Sequence, residues 1–140
     1  MTGFKHKTPI QVRFKDIDAL GHVNNANHLS YIELARVHYF NDAVGMNINW
    51  SEEGIILAKA TIDYKMPILL NDKVFVYTRC SRTGNKSFDL EYAVVKEENG
   101  KDVLLATATT VMVCFNYRTG STMLLKEEWK NKMLDYEKQP

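Results

Sequence analysis

Cysteine is scarce in this chain of 140 residues: only Cys80 and Cys114 occur, far apart and each inside a strand-like run. At that density no disulfide framework is expected, and two buried, reduced thiols are the natural reading. The four histidines, His6, His22, His28 and His38, show no paired-cysteine spacing and no HExxH pattern. His22 and His28 with Asp16 and Asp18 make only a loose ligand set, so no metal is expected. No run approaches the ~20 apolar residues of a membrane span. The opening Met1-Thr2-Gly3-Phe4-Lys5-His6-Lys7 lacks the apolar core of a signal peptide. A cytoplasmic protein without a membrane partner is therefore expected. Charge of one sign is also missing: the formal net charge of +1 argues against a dedicated nucleic-acid binder. Internal repeats, low-complexity tracts and linkers are absent from the sequence.

What is present fits one globular domain over residues 1–140, with 45% apolar and 25% charged residues. Residues 10–14 alternate apolar and polar side chains and read as a first strand. Over residues 26–44 the period becomes helical, with Leu29, Ile32, Ala35, Tyr39 and Ala43 as an apolar stripe. Asn24 or Asn25 can cap the start of this helix, and Gly45 stands where a C-terminal cap belongs. A less regular stretch covers residues 47–53. Four strand-like runs follow: Ile56 to Tyr64 on one face of the first, then 74–80, 88–94 and the long 103–115. Turns are expected at 83–86, 98–101 and 117–120. Residues 127–136 read as a short C-terminal helix presenting Trp129 and Met133. Strand, long helix and hairpin-linked strands make an α+β arrangement, an antiparallel five-stranded sheet around one helix. The edges and outer face of such a sheet need cover, so self-association is expected.

The chemistry concentrates in Asp16-Ile17-Asp18-Ala19-Leu20-Gly21-His22-Val23-Asn24-Asn25. This run sets a carboxylate and a glycine turn directly before a helix N-terminus. A helix start offers unpaired N–H groups and a partial positive charge. A carbonyl bound there is polarised, and a carboxylate beside it can attack the carbonyl or activate water. Asp18 equally fits an acid that bonds local amides in a turn. Asp16 reads as structural, Gly21 as a conformation or close approach that a side chain forbids, and His22 as a turn or substrate contact. Glu33 and Arg36, three apart, suggest an ion pair or hydrogen-bond network. Glu33 also lies two turns beyond Asn25, where it could position water.

The signature Asp18-Ala19-Leu20-Gly21-His22-Val23-Asn24-Asn25, followed by Glu33-Leu34-Ala35-Arg36 and later Lys86-Ser87-Phe88, resembles the 4-hydroxybenzoyl-CoA thioesterase family of hotdog-fold acyl-CoA thioesterases. The resemblance covers nearly the whole chain. It implies a hotdog fold, an acyl-CoA substrate, and dimers or tetramers with active sites between subunits; an acyl-carrier-protein substrate stays open, and no cofactor is expected. It also implies that Asp18 is the catalytic carboxylate and that the Asn25 N–H receives the thioester carbonyl oxygen. Gly21, His22 and Asn24 then border the substrate, and Lys86, Ser87 and Arg82 contact coenzyme A phosphates, with Arg79 in reserve. The chain departs from the family at His28, where Tyr is usual. It departs again at Gly84 and Asn85, which precede Lys86 where some relatives are more basic. A non-catalytic acyl-CoA-binding module and a hydratase or dehydratase using His22 are the competing readings.

Overall fold

Apolar side chains at three- and four-residue steps make one long helix, α1 (Asn27–Ala43), whose buried face is His28, Tyr31, Ile32, Ala35, Tyr39 and Phe40. In the computed structural model, which describes residues 1–45 and 51–140, this face differs from the expected stripe at one end: Leu29 points outward. The sheet packs the side of the first turn that carries His28 and Tyr31, leaving Leu29 beside Glu33 on the open side. After α1, Gly45 takes φ +88° and its N–H donates to the Phe40 carbonyl at 3.1 Å. That is the left-handed stop expected of a glycine cap.

The strands are β1 (His6–Ile10), β2 (Glu53–Tyr64), β3 (Val74–Thr83), β4 (Ser87–Glu98), β5 (Lys101–Asn116) and β6 (Ser121–Thr122). All pairings are antiparallel, in the order β1-β3-β4-β5-β2, with β6 attached to β5. The sheet therefore has one short strand beyond the expected five. The β4–β5 hairpin turns on Asn99 and Gly100, at φ 54° and 75°, the two positive angles a tight hairpin demands. Helix α2 (Glu127–Lys138) buries Trp129 and Met133 as expected. Cys114 is buried, Cys80 is half-buried, and both are free thiols.

Two sequence expectations need correction. The first strand runs over His6–Ile10, not 10–14, and Phe14–Asp16 form a 3-10 turn. His6 and Thr8 are buried polar residues, so this strand lacks an apolar signature; Pro9 is tolerated because β1 pairs only with β3. In β2 the register shifts between Leu57 and Lys59. The bulge swaps the faces, so Ile55 and Ile62 both pack on the core whereas Ile56 is exposed. The irregular stretch expected over 47–53 falls largely on residues 46–50, which lie outside the described residues.

Between α1 and the inner face of the sheet lies the main core, in which Ile32, Tyr39, Phe88, Leu90, Tyr92, Leu105 and Met112 are almost fully enclosed. A curved antiparallel sheet closed around one central helix is the hotdog fold. Its consequence for function is positional: the loop between β1 and α1 is pressed against the helix N-terminus.

Candidate active site

Asp16 fastens that loop. Its side chain is only 2% exposed, and it accepts the Tyr31 hydroxyl at 2.7 Å, the Arg13 N–H at 3.1 Å and the Arg13 guanidinium at 3.2 Å. Its main-chain carbonyl accepts the Asn24 N–H at 2.9 Å and the Asn27 side-chain amide at 3.0 Å. Burial alone would raise the carboxyl pKa, but the Tyr31, Arg13 amide and Arg13 guanidinium donors together outweigh it and hold the group below its ordinary value. Burial and the Asp16 carboxylate in turn push the Tyr31 hydroxyl well above its ordinary range, so it remains a donor. Both ends of the loop are thereby tied to Asp16, and through it to Tyr31 and Asn27 on the first turns of α1.

Between these ties the chain makes a tight reversal. The Asp18 N–H donates to the His22 carbonyl and the Gly21 N–H to the Asp18 carbonyl, both at 3.0 Å, with an Ile17–Val23 bridge closing the ladder. Gly21 sits at φ +86°, and a Cβ there would meet nothing within 4 Å. The glycine is thus required by backbone angle and not by close approach.

The Asp18 side chain is half-buried. One carboxylate oxygen accepts the Leu20 N–H at 2.9 Å, and the other faces the Asn24 side-chain nitrogen at 3.4 Å. The carbonyl oxygen of the same Asn24 side chain accepts the Ala26 N–H at 2.9 Å. Asn24 is therefore a bracket, joining the acid to the entry of α1. Asp18 is thus a turn residue that is also held beside the helix start. The N–H groups of Asn24, Ala26, Asn27 and His28 are all bonded, whereas that of Asn25 has no hydrogen-bond partner among the described residues. A free donor at a helix N-terminus suits an oxygen that gains negative charge.

A cavity of about 220 Å³ opens on this side, lined by His22, Val23, Asn25, His28, Tyr64, Lys65, Met66 and Pro67. His22 is half-buried, with Nδ1 at 3.3 Å from the Val23 carbonyl. The Tyr64 hydroxyl donates to the Asn25 carbonyl at 3.2 Å. A larger cleft of about 400 Å³ lies farther along α1, lined by Glu33, Arg36, Val37, Phe40, Asn41, Ile55 and Met112. Here the expected Glu33–Arg36 pair does not form; Arg36 reaches the Tyr92 hydroxyl at 3.4 Å, and that hydroxyl is 2.8 Å from Thr110 Oγ1. The buried tyrosine offers Arg36 a fixed partner across the core, which a neighbouring exposed glutamate does not.

Asp18, Gly21, His22, Asn24 and Asn25 are thus gathered in one place. Lys86, Ser87 and Arg82 are not with them. They sit on the β3–β4 hairpin, level with Val113 and Ile56, whereas the Asn25 end lies beside Tyr64, level with Ala106. Those levels differ by seven residues of β5, about 23 Å along a strand. Lys86 is exposed. Arg82 makes a two-pronged bond to Asp89, at 2.9 Å for each contact, and reaches Ser87 Oγ at 3.3 Å. Tyr31 and Tyr64 also border this place, although sequence reasoning does not put them there; His28, which the sequence marks as a departure from the family's usual Tyr, lines the cavity beside Tyr64. Among the described residues no cluster of three or more His, Cys, Asp or Glu side chains is placed to hold a metal ion. No helix among them is long and apolar enough to cross a membrane.

Residues 12–133 match the thioesterase-like superfamily. A thioesterase of Thermus thermophilus, crystallised with coenzyme A and Zn, is 36% identical over 100% of both chains, with a TM-score of 0.83. The long-chain acyl-CoA thioesterase FadM of Escherichia coli (strain K12) is 25% identical across 91% of this chain and 96% of its own. The Bacillus subtilis protein YsmA, of unknown function, is 27% identical across 95% of this chain and 88% of its own. The chain belongs to the thioesterase-like superfamily and is a hotdog-fold thioester hydrolase.

Proposed function

We propose that the protein hydrolyses an acyl-CoA thioester to a carboxylic acid and free coenzyme A. The observation that carries this reading is the half-buried Asp18 carboxylate bracketed by Asn24 to a helix start whose Asn25 N–H is unengaged among the described residues. The thioester carbonyl oxygen accepts that N–H, and the charge it gains on attack is stabilised by the amide and the helix dipole. Asp18 either adds to the carbonyl carbon, giving an anhydride that water opens, or removes a proton from the attacking water. In both routes the carbon–sulfur bond breaks and coenzyme A leaves as a thiolate that takes up a proton. His22 borders the carbonyl and Gly21 sets the reversal that presents Asp18. The names of the Thermus and Escherichia relatives support the acyl-CoA substrate.

A homodimer completes the site in this reading. Among the described residues strand β2 pairs only with β5, which leaves the backbone groups of its other edge without a strand partner there. Beside it lies an exposed apolar strip: Ile56 and Leu57 on the strand, Leu29 and Val37 on α1. Antiparallel pairing of two β2 edges about a two-fold axis sets the Tyr64 end of one subunit against the Ile55 end of the other. Asn25 and Asp18 of one subunit then face the second subunit's apolar cleft and its Lys86–Ser87 hairpin. The acyl chain enters the cleft, and Lys86 and Ser87 meet the phosphates, with Arg82 holding Ser87 in place.

Two measurements test this. A panel of acyl-CoA thioesters, with a carrier-protein thioester for comparison, is scored by released thiol; release from no member would refute the reading. Leu57→Glu is expected to halve the particle mass in light scattering and to cut kcat/KM at least ~10-fold through lost positioning. A variant monomer with full activity would remove the second subunit from the site.

A further inference from the structure

His28 is the outlier of the site. Its side chain is 2% exposed, and neither ring nitrogen has a hydrogen-bond partner among the described residues. A buried imidazole with no partner at hydrogen-bonding geometry is destabilising in itself, because the nearby Asn24 and Asn25 carbonyls do not replace the water it loses. The ring borders the same cavity as the free Asn25 N–H. Tyr64 stands edge-on to it, ring centres 4.8 Å apart, and its hydroxyl donates to the Asn25 carbonyl. Tyr64 is itself half-exposed at the end of β2, so a substrate that displaces its ring would meet the imidazole.

We propose that His28 selects acyl groups bearing an oxygen on the β-carbon, a 3-hydroxyacyl or 3-oxoacyl thioester. This rests on the thioesterase reading above. With the thioester oxygen on the Asn25 N–H, a side chain three residues later lies one helical turn away, about 5 Å along the axis. That is the reach of a substituent two bonds beyond the carbonyl carbon; an unbranched acyl chain offers nothing polar there. Burial lowers the imidazole pKa, against a smaller opposing pull from the Asn24 and Asn25 carbonyls, and so favours the neutral ring. A neutral imidazole has one donor and one acceptor nitrogen. It can donate to a 3-oxo group, and can either accept from or donate to a 3-hydroxyl. It matches an uncharged oxygen better than a carboxylate, which would prefer a cation.

The test compares octanoyl-CoA, 3-hydroxyoctanoyl-CoA and 3-oxooctanoyl-CoA on the wild-type protein and on His28→Phe, with thiol release as the readout. The wild type is expected to favour at least one oxygenated substrate by about tenfold or more in kcat/KM, since a site built to bond a substrate oxygen discriminates against its absence. His28→Phe is expected to erase that preference, bringing kcat/KM for the oxygenated substrates to the same level as octanoyl-CoA, and to melt no lower than the wild type, because it removes an unpaired buried group. Hydroxy and oxo arms separate the two donor–acceptor arrangements. Equal rates on all three substrates in the wild type, or a preference that survives His28→Phe, would overturn the inference and leave the thioesterase reading standing. Loss of water from the 3-hydroxy substrate without thiol release would also overturn it. Failure to release thiol from any substrate would overturn both readings. Should His28→Phe not fold, His28→Gln supplies a donor and acceptor on a different frame and is expected to retain part of the preference; unchanged selectivity there, with the wild-type preference intact, would equally count against the imidazole.

Discussion

Asp18→Asn is expected to lower kcat for acyl-CoA hydrolysis by about a thousandfold, in the range set by losing a positioned base or nucleophile. The substitution keeps the shape and the acceptor oxygen for the Leu20 N–H, so the reversal through Gly21 survives. It removes the charge, and with it both the attack on the carbonyl and the proton acceptance from water. KM should change little, because Asp18 is not needed to hold the nucleotide. Melting temperature should also hold, since the carboxylate is half-exposed and its closest bond is to a turn amide. Initial rates from thiol release, paired with thermal melts, check both halves. Wild-type turnover in Asp18→Asn would exclude either chemical route.

The opposite pattern is expected two residues earlier. Asp16→Ala should destabilise the fold by about 3 kcal/mol, because it strands the buried Tyr31 hydroxyl and the Arg13 amide and leaves the loop tied only through the main-chain carbonyl of residue 16. For a domain of this size that is a fall in Tm on the order of 10 °C. The effect carries a pH signature. The folded-state pKa of Asp16 lies below its unfolded value, so its contribution is fully present above the unfolded pKa of about 4. It is lost as pH falls from there through the folded value. The gap in stability between wild type and Asp16→Ala should therefore be constant near neutrality and narrow below about pH 4. A gap that widens in acid would mean that the carboxylate is not held charged by Tyr31 and Arg13. The contrast between the two acids is the substance of the proposal: one fixes the loop, and the other is expected to work from it.

Much of this is legible in the amino-acid sequence itself. The run from Asp16 to Asn25 shows acid, turn and helix start in order because each has a local cause: a reversal needing positive φ at Gly21, and an Asn before a helix. The Asn99-Gly100 turn and the Gly45 stop are equally local. What the sequence hides depends on distant partners. Strand β1 begins earlier than its apolar pattern suggests because His6 owes its burial to Asp42, whose carboxylate lies 2.7 Å away on α1. The inner face of β2 departs from simple alternation because one bulge residue reverses it. Arg36 forgoes its near neighbour because Tyr92 waits across the core, which sequence spacing does not reveal. Nor can spacing alone place Tyr64 against His28, thirty-six positions away, and the polar surface that this pair gives the cavity.

The most direct test of the mechanism is a crystal structure with an acyl-CoA analogue in which a methylene replaces the thioester sulfur, leaving the carbonyl in place but uncleavable. The carbonyl oxygen is expected about 2.7–3.1 Å from the Asn25 nitrogen, with the Asp18 carboxylate or a water it holds about 3–3.5 Å from the carbonyl carbon. An analogue whose carbonyl binds elsewhere, with the Asn25 N–H facing solvent and Asp18 out of reach, would contradict the assignment of both groups.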